Sequence, residues 1–553
     1  MRDGGPAVLA VPLLALPVAG PGAPMTVTRA GMKRAAGAAL WQRRFAVAAA
    51  VLVVLLWELV GALPAADGVF PRFSSTVAQL WHDRDLYRAN IPPTLWNAAQ
   101  GFMFGNVAAI TLAVAFTEIP SLGRLFRGVL LSLYCVPLMV IAPIVGVSFG
   151  GDVPKVVLAS VAVVFPTFIS VTVGLAGSDR TLEDVVRGVG GRRAHVLRKV
   201  RLRAAVPDLL AGLRVAAPGA VLGAMLGEFL GGRRGLGVLL IATMPQAFPA
   251  RLWGVGLVAT FAAAAGYAVF AAAGRFVETR RRSPLITTAM PVMGAPARGM
   301  LPPVWWALSG LCLLGGWVAY LTLTGLPATF AKGPRDVWAY LVTDSASGEH
   351  RASMIDAFGS TLPHAALGLA CGLGLAFVLA TLLSLWPAFA SALMPIALVS
   401  QSMPLIALTP LVVIALGRGL VAVLAITVSV TFFPGFVAIT QGLRSMPSGA
   451  VDVLDVYDSS RLQILRKVAV PSAVPHLLAA LRLAIPRALL GVIMAEYLAL
   501  GTGVGGLILR ARGRLEFSLL WSIAAVVTAL SLVAYSLVGL AERLSERRFG
   551  AAS

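Results

Sequence analysis

The chain has 553 residues, of which 58% are hydrophobic and only 12% are charged, and its formal net charge is +21. A soluble domain carries about 25% charged residues, so a chain this long and this apolar cannot hide its surface in a water-soluble core, and lipid is the expected solvent. No nucleic-acid-binding motif accompanies the positive charge. We therefore expect no nucleic-acid partner, and we expect the positive charge to set the orientation of the helices in the membrane.

The chain begins with a segment that we do not expect to belong to the membrane domain. Residues 1–24 include the run AVLAVPLLALPVAG, which resembles the apolar part of a signal peptide but is interrupted by prolines. The basic cluster that follows favours a cytoplasmic tail over 1–43. A true translation start at Met25 or Met32 would remove the apolar run from the chain.

Two sets of six apolar segments follow, each close to the roughly 20 residues that a helix needs to cross the hydrocarbon core. The first unit, 44–273, has predicted spans at 44–62, 96–117, 126–149, 154–176, 206–230 and 252–273. The second unit, 303–541, has predicted spans at 304–325, 362–385, 389–416, 420–441, 474–500 and 518–540. A linker rich in Arg, Pro and Gly covers 274–302, and a short tail covers 542–553. The sequence predicts an all-α integral membrane protein of about 12 transmembrane helices.

The distribution of Lys and Arg assigns the cytoplasmic side of the membrane. With a cytoplasmic N-terminus, the inside segments hold 27 Lys and Arg residues and the outside loops hold 14. This difference has the sign that the positive-inside rule requires, and it places both termini and the linker in the cytoplasm. Arg510, Arg512 and Arg514 are exceptions, because they fall on the outside.

The two units repeat the same sequence pattern. LRKVRLRAAVPDLLAGLR begins at Leu197 and LRKVAVPSAVPHLLAALR begins at Leu465, an offset of 268 positions. Prolines, glycines and glutamates elsewhere also align in order at this offset or at 267, which chance similarity of two apolar sequences would not produce. Six spans per unit is an even number, so both units have the same orientation. Parallel repeats about an axis along the membrane normal suit a pathway between two halves.

One cytoplasmic loop in each unit, after the fourth span, has an acidic segment, a turn residue and a basic stretch. Residues 179–203 include eight basic and three acidic side chains, and residues 444–468 include four basic and three acidic ones. An amphipathic helix on anionic lipid is one interpretation. Acidic side chains gain nothing on such a surface, however, and two loops at equivalent positions favour docking of another protein.

The first of these loops, TLEDVVRGVGGRRAHVLRKVRLRAAVP, resembles the cytoplasmic EAA loop of ABC-importer permeases, the membrane subunits of binding-protein-dependent transport. The segments FPTFISVTVGL, GEFLGGRRGLGVLL and AEYLALGTGVGGLIL resemble the nitrate/sulfonate/taurine branch, and the resemblance covers nearly the whole of both units. It implies a fold like that of a type I ABC importer, with two permease units fused in one chain of a bacterial inner membrane. In that family the loop forms a coupling helix that docks in a groove on the ATPase.

The resemblance also implies partners and a substrate class. We expect two ABC ATPase subunits, one for each loop, an extracytoplasmic solute-binding protein, surrounding membrane lipid and a small-molecule substrate. An anion such as a sulfonate or nitrate is the expected substrate, and a thiamine-type precursor is the alternative. Because the chain has no GxxxxGK[ST] phosphate-binding sequence, ATP hydrolysis is expected on a separate subunit, and we predict no enzyme active site and no cofactor. The histidines and cysteines show no metal-ligand spacing, so no metal site is expected.

The resemblance assigns ATPase coupling to residues of both loops and of the helix starts that follow them. These are Glu183, Asp184, Gly190, Arg198, Lys199 and Pro207 in the first unit, and Asp452, Asp455, Asp458, Arg466, Lys467, Pro471 and Pro475 in the second. Both loops depart from the family pattern: its Glu-Ala-Ala becomes Asp-Val-Val and Asp-Val-Leu, and its turn glycine becomes aspartate in the second loop. Because Asp enters left-handed backbone conformations at modest cost, we expect the aspartate to make the same turn as the glycine.

Three matched pairs in the fifth spans are candidates for the translocation pathway: Arg214 and Arg482, Pro218 and Pro486, and Glu228 and Glu496. The arginines either extend to the cytoplasmic interface or form a paired basic gate for an anion. The glutamates either hold the Gly-rich turn that follows or contact the substrate. The prolines are either packing kinks or flexing points for alternating access.

Two other classes of protein stay open from the sequence alone. An ion-coupled secondary transporter with 12 helices would need no ATPase, but the loops PSLGRLFRG and SLWPAF do not fit the major facilitator group, since the first lacks its acidic charge and the second has no charge. A membrane scaffold without transport activity would have no use for matched Arg and Glu residues inside the membrane.

Overall fold

The computed structural model describes residues 51–63, 69–244, 248–280, 303–385, 403–444 and 448–549, together with Ala48 and Met446. All regular secondary structure in these residues is helical. The predictions for the N-terminal tail, for most of the linker, for the last residues of the C-terminal tail and for part of the ninth span fall outside the described residues.

The helices of the two units follow one another in matched order. The first unit contains α1 (Val51–Gly61), α2 (Phe73–His82), α3 (Arg84–Glu118), α4 (Pro120–Cys135), α5 (Leu138–Ser148), α6 (Val153–Ala176), α7 (Arg180–Gly188), α8 (Arg193–Val196), α9 (Leu202–Gly231), α10 (Leu236–Thr243) and α11 (Pro249–Arg280). The second contains α12 (Pro303–Thr324), α13 (Pro334–Trp338), α14 (Ser347–Leu385), α15 (Leu405–Leu416), α16 (Leu420–Arg444), α17 (Ser448–Val456), α18 (Arg461–Ile464), α19 (Val470–Ala495), α20 (Gly503–Gly513) and α21 (Phe517–Phe549). Short π-helical segments extend these helices at Leu197–Arg201, Ala339–Thr343, Leu465–Ala469 and Glu496–Leu500.

The membrane-spanning helices confirm the predicted class of fold. Within the described ranges, nine helices are long and apolar enough to cross a membrane, or up to ten if the bent pair α4–α5 is one span. The shorter apolar helices α1 and α15 occupy the positions of the first and ninth predicted spans. The protein is an all-α membrane protein of about 12 helices arranged as two repeats.

The third predicted span, 126–149, is wrong as one continuous helix. It consists of α4 and α5, whose axes are bent by 96°. Val136 and Pro137 have extended backbones at the break. Proline disfavours helical geometry in the residue before it, so the chain leaves the helix at Val136. In the second unit, α15 starts directly after Pro404, whose backbone is also extended.

The fifth spans, predicted at 206–230 and 474–500, begin earlier than the sequence indicated. Continuous helix runs over Arg193–Gly231 in the first unit and over Arg461–Leu500 in the second, that is 39 and 40 residues. At 1.5 Å per residue each helix is about 60 Å long, roughly twice the hydrocarbon thickness. The basic segments at the start of each helix therefore extend it beyond the length that the membrane requires.

Glycines allow α3 to pack closely on α6. Gly101 and Gly105 lie one turn apart on α3. A Cβ atom at either position would lie 2.3 Å from a side-chain carbon of Ala159 or Val163. Small residues spaced by four positions are a common device for close approach of helices in membranes. This contact is one of the interfaces that hold the first unit together.

The two units share one hydrophobic core. α4 packs against α12, and α21 packs against both α4 and α5, so the first span of the second unit lies on the third span of the first. Ser309 on α12 donates a hydrogen bond to the carbonyl oxygen of Leu125 on α4. One buried apolar cluster includes residues of both units, among them Leu226 and Val492. The units therefore form one packed body around their common axis.

The second unit provides a matched test of the glycine packing. A Cβ atom added at Gly372 on α14 would lie 2.1 Å from the hydroxyl oxygen of Thr431. Gly374, two residues later, is exposed and has open space around it. We predict that Gly372→Leu lowers the free energy of unfolding by about 1–3 kcal/mol, the usual result of overpacking, and that Gly374→Leu leaves it unchanged. Thermal unfolding in detergent, followed by size-exclusion chromatography, measures both. Equal midpoints for the two variants would contradict the packing described here.

Candidate functional site

A cavity of about 270 Å³ lies between the two units. Much of its wall consists of residues that the internal alignment pairs. These pairs are Pro137 and Pro404, Leu138 and Leu405, Phe165 and Phe433, Pro166 and Pro434, Pro218 and Pro486, and Leu222 and Leu490. Since both members of each pair line the same space, the cavity lies on the axis that relates the units.

Residues at the bend of the third span line one side of this cavity. Tyr134, Val136 and Leu138, on both sides of the break between α4 and α5, are among the lining residues. Non-helical backbone at membrane depth is tolerated where it is buried in protein or lines a cavity, since its polar groups would otherwise face lipid. The helix break and the cavity are therefore parts of one feature.

Most of the cavity wall is apolar or aromatic. The ring of Phe165 stacks on that of Tyr134 with 4.0 Å between centroids, and the Tyr134 hydroxyl donates to the carbonyl oxygen of Leu483, 2.8 Å away. The other polar side chains among the described lining residues are Tyr267, Ser429 and Arg487.

Sequence reasoning missed Arg487. The candidates for the pathway are residues that are identical at equivalent positions of both units. The equivalent of Arg487 is Gly219, so this position does not meet that condition. A charged residue inside a predicted span and next to a matched proline is a signal that could have found it. The structure places this side chain in the cavity wall beside Pro486.

The two matched arginines from the sequence analysis, Arg214 and Arg482, are not among the residues that line the cavity. The guanidinium of Arg214 lies over the ring of Tyr267 at 5.5 Å, and that of Arg482 lies over the ring of Tyr535 at 4.3 Å. Arg482 also donates to Glu542 at 2.8 Å. These contacts join the fifth helix of each unit to the sixth. The two prolines of the same candidate set do line the cavity.

The two matched glutamates hold the Gly-rich turns that follow them. Glu228 is 1% exposed, and its Oε2 atom accepts hydrogen bonds from the Thr94 hydroxyl at 2.8 Å and from the amide of Gly237 at 3.0 Å. The oxygen of Thr94 in turn accepts from the amide of Leu236 at 2.8 Å. Gly235 approaches so closely, with φ of 130°, that a Cβ atom would lie 2.1 Å from the carboxylate carbon.

The second unit repeats this arrangement. Glu496 is fully buried; it accepts from Thr361 at 2.8 Å and from the amide of Gly505 at 3.1 Å. The oxygen of Thr361 accepts from the amide of Val504 at 2.9 Å. Neither glutamate lines the cavity, so the geometry favours the turn-holding role over contact with a substrate. The matched threonines were not predicted, although paired polar residues in apolar spans are a readable signal.

Two of the arginines that are exceptions to the predicted topology, Arg510 and Arg512, have structural contacts. Arg512 donates to the carbonyl oxygen of Leu230 at 2.6 Å and to the hydroxyl of Tyr497 at 2.9 Å. Arg510 donates to the carbonyl oxygen of Gly501 at 3.1 Å. Arg512 thus joins the end of α9 in the first unit to the second unit. Both side chains bind backbone oxygens at helix ends, which gives these basic residues a structural role.

The loop after the fourth span of the first unit, residues 179–203, is fixed by an ion-pair network. Glu183 on α7 is buried, and its carboxylate accepts from the guanidinium of Arg201 through Nε at 2.8 Å and Nη2 at 2.9 Å. Arg187 donates to the same carboxylate at 2.9 Å. The hydrogen bonds from Arg201 lower the pKa of Glu183 to about 2. Asp179 caps α7 by accepting from the amide of Thr181 at 2.8 Å.

The second loop lacks this network. The positions equivalent to Glu183 and Arg201 are Val451 and Ala469. α18 is instead held locally by a capping box, in which Ser460 and Gln463 exchange backbone-to-side-chain hydrogen bonds of 2.8 and 3.3 Å. The two loops are therefore equivalent in path and different in the interactions that fix them.

The turn between the two short helices of each loop has the same geometry. Gly190 has φ of 79° and Asp458 has φ of 49°, so both residues are left-handed, as the sequence alignment predicted. The next amide donates to a carbonyl five residues earlier in each case, from Gly191 at 2.9 Å and from Ser459 at 3.0 Å. This is the hydrogen bond of a Schellman-type helix end.

Apolar and charged side chains project from both loops. Val189 is 81% exposed and its equivalent, Tyr457, is 78% exposed. The other loop residues named from the sequence that are exposed in the structure are Asp184, Gly190, Arg198, Lys199, Asp452, Asp455, Asp458, Arg466 and Lys467. Pro207 and Pro475 lie within the long helices α9 and α19, in agreement with the predicted spans 206–230 and 474–500, whereas Pro471, predicted just before the fifth span, lies in the first turn of α19. Large apolar side chains exposed among charged ones are typical of a protein-docking surface.

Two parallel helical repeats that enclose one cavity and present matched loops on one side define a membrane transport protein. The sequence pattern of the family described as "binding-protein-dependent transport system inner membrane component" matches residues 101–283 and again residues 372–550. These segments make up more than half of the chain. The chain belongs to this family and contains two copies of its domain.

The curated proteins that are similar to this chain are described as transport permeases. A probable ABC transporter permease protein of Haemophilus influenzae is 29% identical over 223 residues, which is 40% of this chain and 89% of the relative. The riboflavin transport system permease protein RibX of Chloroflexus aurantiacus is 32% identical over 28% of this chain and 58% of its own length. The putative aliphatic sulfonates transport permease protein SsuC of Bacillus subtilis is 27% identical over 34% of this chain and 70% of its own length.

Thr361 offers a direct test of the glutamate-held turn. We predict that Thr361→Val lowers the free energy of unfolding by about 1–3 kcal/mol, because it leaves the buried Val504 amide without an acceptor. Thr361→Ser keeps the hydroxyl and should cost much less. Thermal unfolding of both variants in the same detergent measures the difference. If the valine variant is as stable as the serine variant, Thr361 does not hold the turn.

The ion pair of the first loop predicts a pH dependence. A carboxylate with a lowered folded-state pKa stabilises the fold above its unfolded pKa, and the stabilisation is lost as the pH falls toward the folded value. The stability difference between the wild type and Glu183→Gln should therefore be full at pH 7 and decrease below about pH 4.5 toward pH 2. Thermal unfolding of both proteins between pH 7 and pH 3.5 tests this. A difference that is constant over this range would contradict the ion pair.

Proposed function

We propose that this chain is the whole permease component of an ATP-driven ABC importer and forms the pathway for a small solute. One observation carries the proposal: a single chain supplies both walls of the central cavity and both of the exposed cytoplasmic loops. Relatives that match one part of this chain are described as ABC transporter permeases. A chain with two such units contains the pair that a two-fold pathway needs.

The exposed loops support ATPase docking. Each loop has a short helix, α7 or α17, followed by a left-handed turn, and the residue just before the turn, Val189 or Tyr457, is exposed to solvent. Two loops provide for two ATPase subunits, one on each unit. Since no GxxxxGK[ST] sequence occurs in the 553 residues, we place ATP hydrolysis on these separate subunits.

The substrate would reach the pathway from an extracytoplasmic binding protein, in keeping with the description of the family. The relatives named for a substrate carry riboflavin, formylaminopyrimidine or aliphatic sulfonates in their names. We infer a small organic solute for this chain. We further propose that the units extend over 44–273 and 303–541, and that the chain lies in a bacterial inner membrane with both termini and the connecting linker in the cytoplasm.

An ion-coupled secondary transporter is the alternative that an uptake assay separates from an ABC importer. We predict that uptake into proteoliposomes containing this chain, its ATPase and its binding protein requires ATP on the side of the membrane that carries the ATPase. Uptake should persist when ionophores collapse the proton and sodium gradients at constant ATP. Uptake that follows an ion gradient and ignores ATP would contradict the importer.

The two turn residues give a matched pair of variants for the docking proposal. Gly190→Val places a β-branched residue at φ of 79°, which costs about 1–2 kcal/mol or reshapes the turn. We predict that it reduces co-purification of the ATPase and lowers uptake. Asp458→Gly keeps the left-handed turn and should leave both nearly unchanged. If Asp458→Gly abolishes ATPase binding while Gly190→Val does not, the two loops are not equivalent docking turns.

A further inference from the structure

We propose that Arg487 makes the cavity a binding site for the anionic group of a small organic solute. The inference deepens the proposed function and rests on the cavity being part of the solute pathway. It starts from the side chains that line the cavity, and it names the class of solute that they suit.

The charges of the cavity wall are unbalanced. Arg487 is the one ionised side chain among the described lining residues, and these residues include no aspartate or glutamate. No described acidic side chain forms an ion pair with it. Two other cations embedded in the helices have such partners, since Arg482 pairs with Glu542 and Lys155 pairs with Asp152. Arg214 has no acidic partner among the described residues either, but its guanidinium lies over the ring of Tyr267 and outside the cavity wall. The positive charge of Arg487 thus remains uncompensated within the described structure.

A cation inside the membrane is costly, and such residues usually serve a pathway or a bound group. The guanidinium presents five donors in one plane, a geometry that matches a carboxylate, sulfonate or phosphate group through paired hydrogen bonds. The nearby Tyr134 hydroxyl, with which Arg487 interacts, already donates its proton to Leu483. An anionic oxygen would satisfy donors that the described wall leaves without an acidic partner.

The N-terminal ends of two helices add positive electrostatic potential to that of Arg487. α5 begins at Leu138 and α15 begins at Leu405, and both of these residues line the cavity. These helices have 11 and 12 residues, and the N-terminal end of a helix carries partial positive charge. The helix ends alone would not define a site, but they reinforce the charge of Arg487.

The rest of the wall suits an apolar or planar body. Phe165 and Phe433 face the cavity from the two units, and Tyr134 stacks on Phe165. The cavity volume of about 270 Å³ lies just below the range of roughly 300–1,000 Å³ that is usual for ligand pockets. A small organic anion with an apolar or aromatic body fits both features.

The internal repeat suggests a variant in which the arginine is moved to the equivalent position of the other unit. Gly219 occupies the position equivalent to Arg487 and also lines the cavity. A Cβ atom at Gly219 would have its nearest neighbour, the carbonyl oxygen of Ala162, at 3.5 Å, an ordinary contact. The double variant Arg487→Gln with Gly219→Arg therefore moves the charge across the axis without changing the number of cations.

The test uses the full-length chain in lipid nanodiscs and three photoreactive probes of nearly equal size. 4-Azidobenzoate and 4-azidobenzenesulfonate are anions, and 4-azidobenzamide is neutral. Mass spectrometry measures labelling of peptides from α4, α5 and α16 as a function of probe concentration. In the wild type, at least one anion should reach half-maximal labelling at about tenfold lower concentration than the amide, which is about 1.4 kcal/mol. The anion that shows the preference identifies the carboxylate or sulfonate class.

Arg487→Gln should abolish the preference, Arg487→Lys should retain part of it, and the double variant should restore it. Arg418→Gln, which removes an exposed cation outside the cavity wall, is the matched control and should behave as the wild type. If Arg487→Gln does not fold, Gly219→Arg alone decides, because a second cation should increase the preference. Equal labelling by all three probes in the wild type, or a preference that survives Arg487→Gln, would overturn the proposal.

The outcome is separable from that of the uptake assay, because labelling needs neither the ATPase nor the binding protein. ATP-driven uptake together with equal labelling would contradict the anion site and leave the importer in place. Labelling that depends on Arg487 together with uptake that ignores ATP would contradict the importer and leave the site in place.

Discussion

The bilayer requires that every backbone polar group at membrane depth be paired or turned toward a cavity, and the architecture of this protein follows from that requirement. Pro137 breaks the third span of the first unit, and Pro404 precedes α15 at the equivalent place in the second. Extended backbone at these points would be unstable against lipid. It is stable where the two units face each other, because there it lines a shared cavity. The two prolines thus lie at helix breaks that line the shared cavity.

Buried polar groups then hold the helices in register around the cavity. Each unit has one glutamate and one threonine that together bind the amides of the Gly-rich turn after the fifth span, which secures the C-terminal end of that long helix. At the N-terminal end of the same continuous helix in the first unit, Arg201 connects the first loop to α9 through Glu183. An ion pair therefore connects α7 to a helix whose middle, at Pro218, lines the cavity. Under the proposed function, this connection would couple docking on the loop to the pathway.

The sequence predicted the features that depend on periodicity and repetition. Two units of apolar spans, the matched glutamates, and the left-handed turn at Asp458 all followed from length, alignment and residue conformational preference. For the glutamates the sequence left two roles open, and only the structure favours the holding of the turn over contact with a substrate. The bend at Pro137 was not predicted, because an apolar run over 126–149 has the right length for one straight helix. The pairing of Glu183 with Arg201 joins residues 18 positions apart through the fold of the loop, which no spacing rule identifies. Arg487 was missed because the alignment draws attention to residues that are alike in both units, and the equivalent of this arginine is a glycine, Gly219.

We propose that one copy of this chain supplies both halves of a single transport complex. Native mass spectrometry of the detergent-purified complex, formed with its ATPase, measures this stoichiometry most directly. We expect one copy of the 57.5 kDa chain with two ATPase subunits. Two copies of the chain for each pair of ATPases would contradict it, because each chain would then supply only one half of the pathway.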